Sequence, residues 1–317
     1  MRIVIPGGSG QVGTIIARHL HANGNEVTVL SRSPKPAPWQ TLAWDGRTLD
    51  PAWTGTLEGA DGVIHLSGKS VNCRYNATNR KEIIDSRVIP TLLLGEAIAA
   101  CRTPPKLWMN ASTSTFYRDA RGEHDHPNDE FTGELGGDES GVPDTWNFSI
   151  DVARRWEEAF YASDLPHTRK IALRSSMTMS PDAGGVFSVL SGLVRAGLGG
   201  TQGDGKQYVS WVHDLDYCRI TDFLIAHKEI SGPVNITAPN PLPNWRFMQA
   251  LRQAWKKSVG LPAYGWMLEI GAVFLRTETE LILKSRRAVP TKLLQYGYEF
   301  AFPTWVEAAQ DLAARSR

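Results

Sequence analysis

The chain has 317 residues, of which 42% are hydrophobic, so it can bury the core of one large or two closely joined domains. Its formal net charge of +1 favours neither nucleic acid nor an anionic membrane as a partner. No apolar run approaches the ~18 residues of a spanning helix, and a strand pattern occupies the place of a signal peptide. The three cysteines lack metal-ligand spacing. We therefore expect a reduced, cytoplasmic protein that binds neither nucleic acid nor membranes.

The first two thirds of the chain alternates strand and helix patterns. Predicted strands cover 2–5, 26–30, 41–44, 62–66, 106–111 and 170–174, and predicted helices cover 11–23, about 79–101 and 146–162. This alternation is typical of an α/β protein with a doubly wound parallel sheet. Because such sheets bind ligands at the carboxyl ends of their strands, the residues just after each strand are the functional candidates.

The remaining segments are less regular. The polar stretch 118–145 predicts a long loop, and later patterns predict a strand at 208–212, a helix at 214–228, a strand at 234–237 and an amphipathic helix at 304–315. We interpret 1–180 together with about 208–237 as a Rossmann-type dinucleotide-binding domain. About 181–207 and 238–317 are interpreted as a smaller, mostly helical C-terminal lobe that contacts substrate.

A glycine-rich turn joins the first strand to the first helix. Its glycines fit G-x-G-x-x-G at 8, 10 and 13, and also G-x-x-G-x-x-G at 7, 10 and 13. In this context glycines permit a sharp turn, a close approach of backbone to a pyrophosphate, and tight packing of the helix on the sheet. The turn supplies seven candidate cofactor-binding residues: Gly7, Gly8, Ser9, Gly10, Gln11, Val12 and Gly13.

The end of the second strand indicates which dinucleotide binds. An acidic residue there would accept hydrogen bonds from the adenosine ribose and favour NAD, but this chain has Ser31 followed by Arg32. A guanidinium can pair with the 2′-phosphate of NADP, and a neighbouring hydroxyl can add a hydrogen bond. We therefore expect NADP(H) to be preferred over NAD(H). An ordinary surface arginine is the alternative for Arg32.

Four later segments resemble a known superfamily. They are 63–68 (V-I-H-L-S-G), 110–117 (N-A-S-T-S-T-F-Y), the strand end at Arg174, and 210–214 (S-W-V-H-D). Together they are similar to the extended, epimerase/dehydratase-like branch of the short-chain dehydrogenase/reductase superfamily. The resemblance implies cofactor contacts at these strand ends, made by Leu66, Ser67, Gly68, Ser112 and Arg174.

A narrower resemblance covers nearly the whole chain. Blocks at 68–87, 198–205, 232–241 and 286–300 are similar to the "epimerase family" proteins, which are atypical members of the superfamily with a C-terminal domain of unknown function. Two departures stand out, because Lys69 replaces a family glutamate and Tyr75 replaces a tryptophan. The first reverses a charge beside the expected substrate cleft, so the substrate of a relative cannot be carried over.

The candidate substrate-binding residues are Lys69, Arg74, Arg87 and His213. The arginines could clamp an acidic or phosphorylated substrate, although a surface salt bridge is the alternative for each. His213 could act as an acid or base, but a lone histidine after an apolar strand is more often structural.

The proton relay of the superfamily, Tyr-x-x-x-Lys, is missing. None of the eight tyrosines is followed by lysine four residues later, and the expected helix places Phe148 and Val152, or Ser149 and Ala153, at the two positions. A tyrosine whose pKa is lowered by lysine normally relays the proton. The remaining candidate catalytic residues are Ser112, Thr113 and Tyr117. The alternative for the two hydroxyls is a strand-end hydrogen bond to backbone, and the alternative for Tyr117 is a packed aromatic at the stem of the loop.

Three functions remain open. The first is an NADP(H)-dependent oxidoreductase, or redox-assisted epimerase, acting on a small polar substrate. The second is a non-catalytic NADP(H) sensor or scaffold, and the third is a nucleotide-sugar epimerase or dehydratase with a tightly held cofactor. We expect no metal, because the adjacent residues of the His124-Asp125-His126 run cannot readily converge on one ion. A homodimer is one possible assembly.

Overall fold

The computed structural model describes residues 1–316 except 122–124, 138, 140, 266 and 268–277. Its strands are β1 (Arg2–Pro6), β2 (Glu26–Ser31), β3 (Gln40–Ala43), β4 (Gly62–His65), β5 (Leu107–Thr113), β6 (Arg169–Ser175), β7 (Met177–Met179), β8 (Tyr208–Val209), β9 (Trp211–His213), β10 (Gly232–Ile236) and β11 (Leu242–Pro243). Its helices are α1 (Gln11–Ala22), α2 (Pro51–Thr54), α3 (Ala77–Ala99), α4 (Asp144–Ala162), α5 (Val186–Arg195), α6 (Asp214–Ala226), α7 (Asn244–Ala254), α8 (Glu280–Leu283), α9 (Thr291–Gln295) and α10 (Trp305–Arg315). A 3-10 turn, Ser114–Phe116, follows β5.

Seven strands form one parallel sheet in the order β10-β6-β5-β4-β1-β2-β3. The chain moves outward from β1 to β2 and β3, then returns to β4 on the other side of β1. This reversal opens a crevice at the carboxyl ends of β1 and β4, where doubly wound sheets bind their ligands. The predicted fold class, a Rossmann-type doubly wound sheet, is confirmed.

Alternation along the strands supplies a hydrophobic core on each face of the sheet. Ile3 and Ile5 of β1 pack into a cluster with α1 and α6, whereas Val4 points into a cluster with α3 and α4. Successive side chains of a strand point to opposite faces, so a strand covered on both sides is apolar throughout. These two cores hold the carboxyl ends of the strands in place.

A third cluster lies in the C-terminal part of the chain. Trp305 of α10 stacks on Phe247 of α7 at a centroid distance of 4.1 Å, and its ring also contacts Trp211 of β9. This helical region agrees with the predicted mostly helical C-terminal segment. Our domain boundaries stay a prediction. Among the described helices, none combines the length and the apolar character that crossing a membrane requires.

The strand predicted at 208–212 is wrong as one element. Ser210 separates β8, which pairs antiparallel with β11, from β9, which pairs parallel with β7. The Ser210 hydroxyl donates to the carbonyl of Arg286 (2.8 Å) and accepts from the N–H of Ala288 (2.9 Å). The chain therefore changes partners at Ser210, which a local apolar pattern cannot reveal.

Candidate functional site

Each glycine of the β1–α1 turn has a different steric role. Gly7 has φ +77°, and a Cβ added there would lie 2.6 Å from the backbone nitrogen of Ser67. A Cβ at Gly13 would lie 2.4 Å from the Cα of Gly8, so this glycine lets α1 pack onto the turn. A Cβ at Gly10 would meet nothing closer than 3.8 Å. Gly10 therefore leaves space on the open side of the turn.

The amino terminus of α1 can receive an anion. Gly10 is the N-cap residue, and no side chain caps the helix. The first N–H groups of the helix and its dipole then favour a phosphate in the crevice. Gln11 packs beside Gly185, whereas Val12 lines a second cavity described below.

A first cavity of about 980 Å³ extends from this turn along the carboxyl ends of β1, β2 and β4. It gathers most of the predicted cofactor-binding residues from three separate turns: Gly7, Gly8, Ser9, Gly10, Ser31, Arg32, Leu66, Ser67 and Gly68. The Ser31 hydroxyl donates to the Ser9 hydroxyl at 2.9 Å, which connects the ends of β1 and β2. The size and lining of the cavity fit an extended nucleotide.

Two further cations line the first cavity together with Arg32. Lys35 follows β2, and Arg47 follows β3 and lies 3.9 Å from Asp85. Neither residue was predicted from the sequence. Lys35 could have been found, because it lies three residues beyond Arg32, but Arg47 belongs to another turn that only folding brings alongside. Lys69 also lines this cavity, where its ammonium donates to Asn79 (2.7 Å) and pairs with Glu82.

A second cavity of about 420 Å³ adjoins the first, and Leu66 lines both. Besides Val12 and Leu66, three more predicted residues lie in its wall: Ser112, Thr113 and Arg87. The Ser112 hydroxyl is engaged, since it donates to Glu157 Oε1 at 2.5 Å. Thr113 Oγ1 accepts from the N–H of Thr115 (3.1 Å), and its own proton has no acceptor among the described residues. Thr113 is therefore better placed than Ser112 to donate to a ligand.

Tyr117 and Arg174 lie outside the linings of both cavities. Arg174 makes two 2.8 Å hydrogen bonds to the carboxylate of Glu157, and both side chains are buried. Tyr117 Oη donates to Asn235 (3.0 Å) and accepts from Arg174 (3.1 Å). These residues form a buried polar network below Ser112. The structure does not bring Tyr117 or the guanidinium of Arg174 into the site.

Arg74 and His213 also lie outside both linings. Arg74 pairs with Glu278 at 3.2 Å. His213 is fully buried at the start of α6, stacked on Phe302, and hydrogen-bonded to Asp311 at 3.0 Å. Burial lowers the pKa of this imidazole. Its position gives His213 a structural role between α6 and α10.

Among the described residues, α4 presents no tyrosine–lysine pair to the second cavity. Phe148, Ser149 and Val152 line the wall at the positions where that pair would be expected. Opposite them lies Tyr75, whose buried hydroxyl has no hydrogen-bond partner among the described residues. Burial and the charge of Glu280 raise the pKa of Tyr75 to about 12. Tyr75 was noted in the sequence only as a departure from the family pattern.

Glu280 brings the C-terminal part of the chain into the same wall. Its carboxylate accepts from Ser149 (2.7 Å) and pairs with Arg286 (2.9 Å). Lys284, on the same segment, donates to the carbonyl of Thr115 at 2.8 Å. These contacts anchor 280–286 against the turn that follows β5.

Lys284 predicts a pH dependence of stability. Burial lowers the pKa of its ammonium to about 8, from 10.5 in the unfolded chain. Between these values the unfolded chain binds more protons, so the free energy of unfolding should rise with pH. We expect Lys284→Met to lose this rise. Urea unfolding at pH 7 and pH 9.5 measures it, and equal changes in wild type and variant would contradict the assignment.

The histidine-rich run of the polar loop is only partly covered. His124 lies outside the described residues. Asp125 Oδ2 accepts from the backbone N–H of Arg121 at 2.6 Å, and its other oxygen lies 3.5 Å from Arg118. Asp125 therefore contributes to the structure of the loop.

The sheet order, the glycine turn and the crevice define a Rossmann-type protein of the short-chain dehydrogenase/reductase class. A model of the NAD dependent epimerase/dehydratase family matches residues 3–237, and a domain of unknown function, DUF1731, matches residues 265–312. The chain belongs to the NAD dependent epimerase/dehydratase family. This confirms the resemblance predicted from the sequence.

Similar proteins span the whole chain. Human epimerase family protein SDR39U1 is 30% identical over 321 residues, covering 99% of this chain and 100% of the human protein. A crystal structure of human SDR39U1 isoform 2 with NADPH has a TM-score of 0.85 at 28% identity and covers 99% of both chains. A nucleoside-diphosphate sugar epimerase from Corynebacterium glutamicum has a TM-score of 0.74 at 28% identity, covering 98% of this chain and 58% of that one.

Proposed function

We propose that this protein is an NADP(H)-dependent oxidoreductase that interconverts a carbonyl and a hydroxyl group on a small substrate. The observation that carries the proposal is that the two cavities adjoin at Leu66, which lines both; the glycine turn lies in the wall of the first and Thr113 in the wall of the second. The first cavity has the size and the phosphate-binding turn for a dinucleotide. The human relative was crystallised with NADPH, which is in line with this assignment.

Three cations favour NADPH over NADH. Arg32, Lys35 and Arg47 all line the first cavity, on the turns that follow β2 and β3, although Arg47 also lies 3.9 Å from Asp85. A 2′-phosphate on the adenosine ribose would bring negative charge to this end, where a guanidinium can bind it through two hydrogen bonds. The Ser31 and Ser33 hydroxyls lie in the same lining.

Arg32→Asp should therefore weaken NADPH binding far more than NADH binding. We expect about a hundredfold rise in the Kd for NADPH, because a charge-assisted contact is lost and repulsion is added. Isothermal titration with both cofactors measures the change. Lys228→Asp, at an exposed position outside both cavities, is the control. An equal loss for NADPH and NADH would contradict the assignment.

The residues of the second cavity can support hydride chemistry without a tyrosine–lysine pair. When bound, the nicotinamide supplies or accepts the hydride. Thr113 is positioned to donate a hydrogen bond to a substrate oxygen, and the Glu157–Arg174 pair fixes Ser112 beside it. A positioned proton donor contributes about 10²–10⁴-fold to a rate, so a slow enzyme is compatible with the missing pair.

Turnover assays separate this proposal from its alternatives. Purified protein is incubated with NADPH and a panel of small aldehydes, ketones and keto acids, and absorbance at the NADPH band is followed. Substrate-dependent loss of absorbance is the expected result. Tight NADPH binding without turnover across the panel would instead favour a sensor or scaffold. A cofactor that co-purifies and acts on nucleotide sugars without net consumption would favour an epimerase or dehydratase.

A further inference from the structure

Arg87 lies in the wall of the second cavity and has no counter-ion within the part of the chain that the structure describes. Its guanidinium donates to the carbonyls of Ile83 (3.0 Å) and Lys69 (3.1 Å) and lies 5.1 Å from the ring centroid of Trp156. Among the described residues, no carboxylate lies within 4.0 Å of it. Burial lowers the pKa of Arg87 to about 10, because removal from water destabilises the charged form of the guanidinium.

Three other arginines are paired with carboxylates, unlike Arg87. Arg174 pairs with Glu157, and Arg286 pairs with Glu280. Arg80, about two helical turns before Arg87 on α3, pairs with Asp144. A buried charge is normally paired, so an unpaired guanidinium facing a cavity calls for an anion from outside the chain.

Gly68 leaves room for the guanidinium of Arg87, because it has no side chain. A Cβ at Gly68 would lie 3.1 Å from the guanidinium carbon, so a larger residue would displace it from the junction of the two cavities. A guanidinium has five N–H donors, and two hydrogen bonds to carbonyls leave others available. These donors can form a bidentate contact with a carboxylate.

The charge of the second cavity limits the ligand to one negative charge. The other charged residue of its described lining is Glu280, which Arg286 already neutralises. The rest of the wall combines hydroxyls with apolar side chains, among them Val71, Ile83, Phe148 and Leu281. A cavity of about 420 Å³ has room for a compact molecule. An apolar body is thus a better match than the polar substrate that the sequence led us to expect.

We propose that the second cavity binds a small monocarboxylate with an apolar body, and that Arg87 recognises its carboxylate. This inference rests on the proposed function only in that the same molecule would carry the reacting carbonyl or hydroxyl group. Carboxylate binding itself needs no turnover, so the two ideas can fail separately.

The test uses benzoate and 4-methylpentanoate as probes, with their neutral amides as matched controls. Each is titrated calorimetrically into wild-type protein saturated with NADPH. We expect both carboxylates to bind and each amide to bind at least tenfold more weakly. Arg87→Met should weaken carboxylate binding by about ten- to a hundredfold, the value of one charge-assisted contact. Arg87→Lys, which retains the charge, should lie between. Arg155→Met, at an exposed position outside both cavities, should leave carboxylate binding unchanged.

Several results would overturn the inference. The first is that neither carboxylate binds the wild type. The second is that the amides bind as well as the acids. The third is that Arg155→Met loses as much affinity as Arg87→Met. If Arg87→Met weakens the binding of NADPH and not that of benzoate, the guanidinium belongs to the cofactor site. The comparison of acid with amide needs no variant, so a poorly folded Arg87→Met would not remove the test. If the carboxylates bind but no carbonyl compound oxidises NADPH, the proposed function fails and this inference stands.

Discussion

Gly13→Ala should destabilise the protein and abolish NADPH binding together. The added Cβ would lie 2.4–2.7 Å from three backbone atoms of Gly8, which no side-chain rotation can relieve. Alanine would normally stabilise a helix by about 1 kcal/mol relative to glycine. We expect the clash to outweigh that gain and to lower the free energy of unfolding by about 3 kcal/mol. Urea unfolding and NADPH titration measure the two effects.

Gly10→Ala is the matched control in the same turn. Its Cβ would meet no protein atom closer than 3.8 Å, and its φ of −74° suits alanine. Stability should change by about 1 kcal/mol or less, the usual cost of alanine at an N-cap. NADPH affinity should still fall, because Gly10 lines the first cavity where the phosphates would lie. Wild-type stability in Gly13→Ala would show that the helix does not depend on this close approach.

Arg174→Met should produce the second large effect, this time on stability alone. The substitution would leave the carboxylate of Glu157 buried without its two 2.8 Å contacts to the guanidinium. Removing one partner of a buried pair costs about 3–5 kcal/mol. Because Arg174 lines neither cavity, NADPH affinity measured below the unfolding transition should stay within about twofold of wild type.

The double variant Glu157→Gln/Arg174→Met tests the reason for the loss. It removes both charges, so it should recover a substantial part of the lost stability. Arg155→Met is the surface control, since Arg155 and Asp151 form an exposed pair at 2.8 Å on the same helix. That change should cost about 0.5 kcal/mol. If Arg174→Met left stability unchanged but weakened NADPH binding, the result would instead support the cofactor contact predicted for Arg174 from the sequence.

Local pattern was sufficient where function depends on consecutive residues. The glycine turn depends on spacing within seven residues, and its context between a strand and a helix is visible in the chain. Ser31 ends β2 and Arg32 follows it, so the end of this strand was predicted correctly to within one residue. The same holds for the absent tyrosine–lysine pair, because a helical spacing of four residues can be checked by reading.

Roles that depend on partners distant in the sequence could not be predicted from local sequence patterns. Arg174 was predicted to bind the cofactor, yet its guanidinium is held by Glu157 from α4. His213 was a substrate candidate, but Asp311, 98 residues later, holds it in the interior. The residue type determines which hydrogen bonds and ion pairs a side chain can form, whereas the fold determines which partner it meets.

The sequence by itself determined the Rossmann-type class, the phosphate-binding turn and the missing proton relay, since each follows from periodicity and short-range spacing. Only the tertiary structure decided which charged side chains remain available to a ligand. It joins Tyr75, Ser149 and Glu280 in one wall across two hundred residues, and among the described residues it leaves Arg87 beside them without a carboxylate. The physical reason is that charge neutralisation acts through space, so an unpaired, half-buried cation can be recognised only when its neighbours are in place.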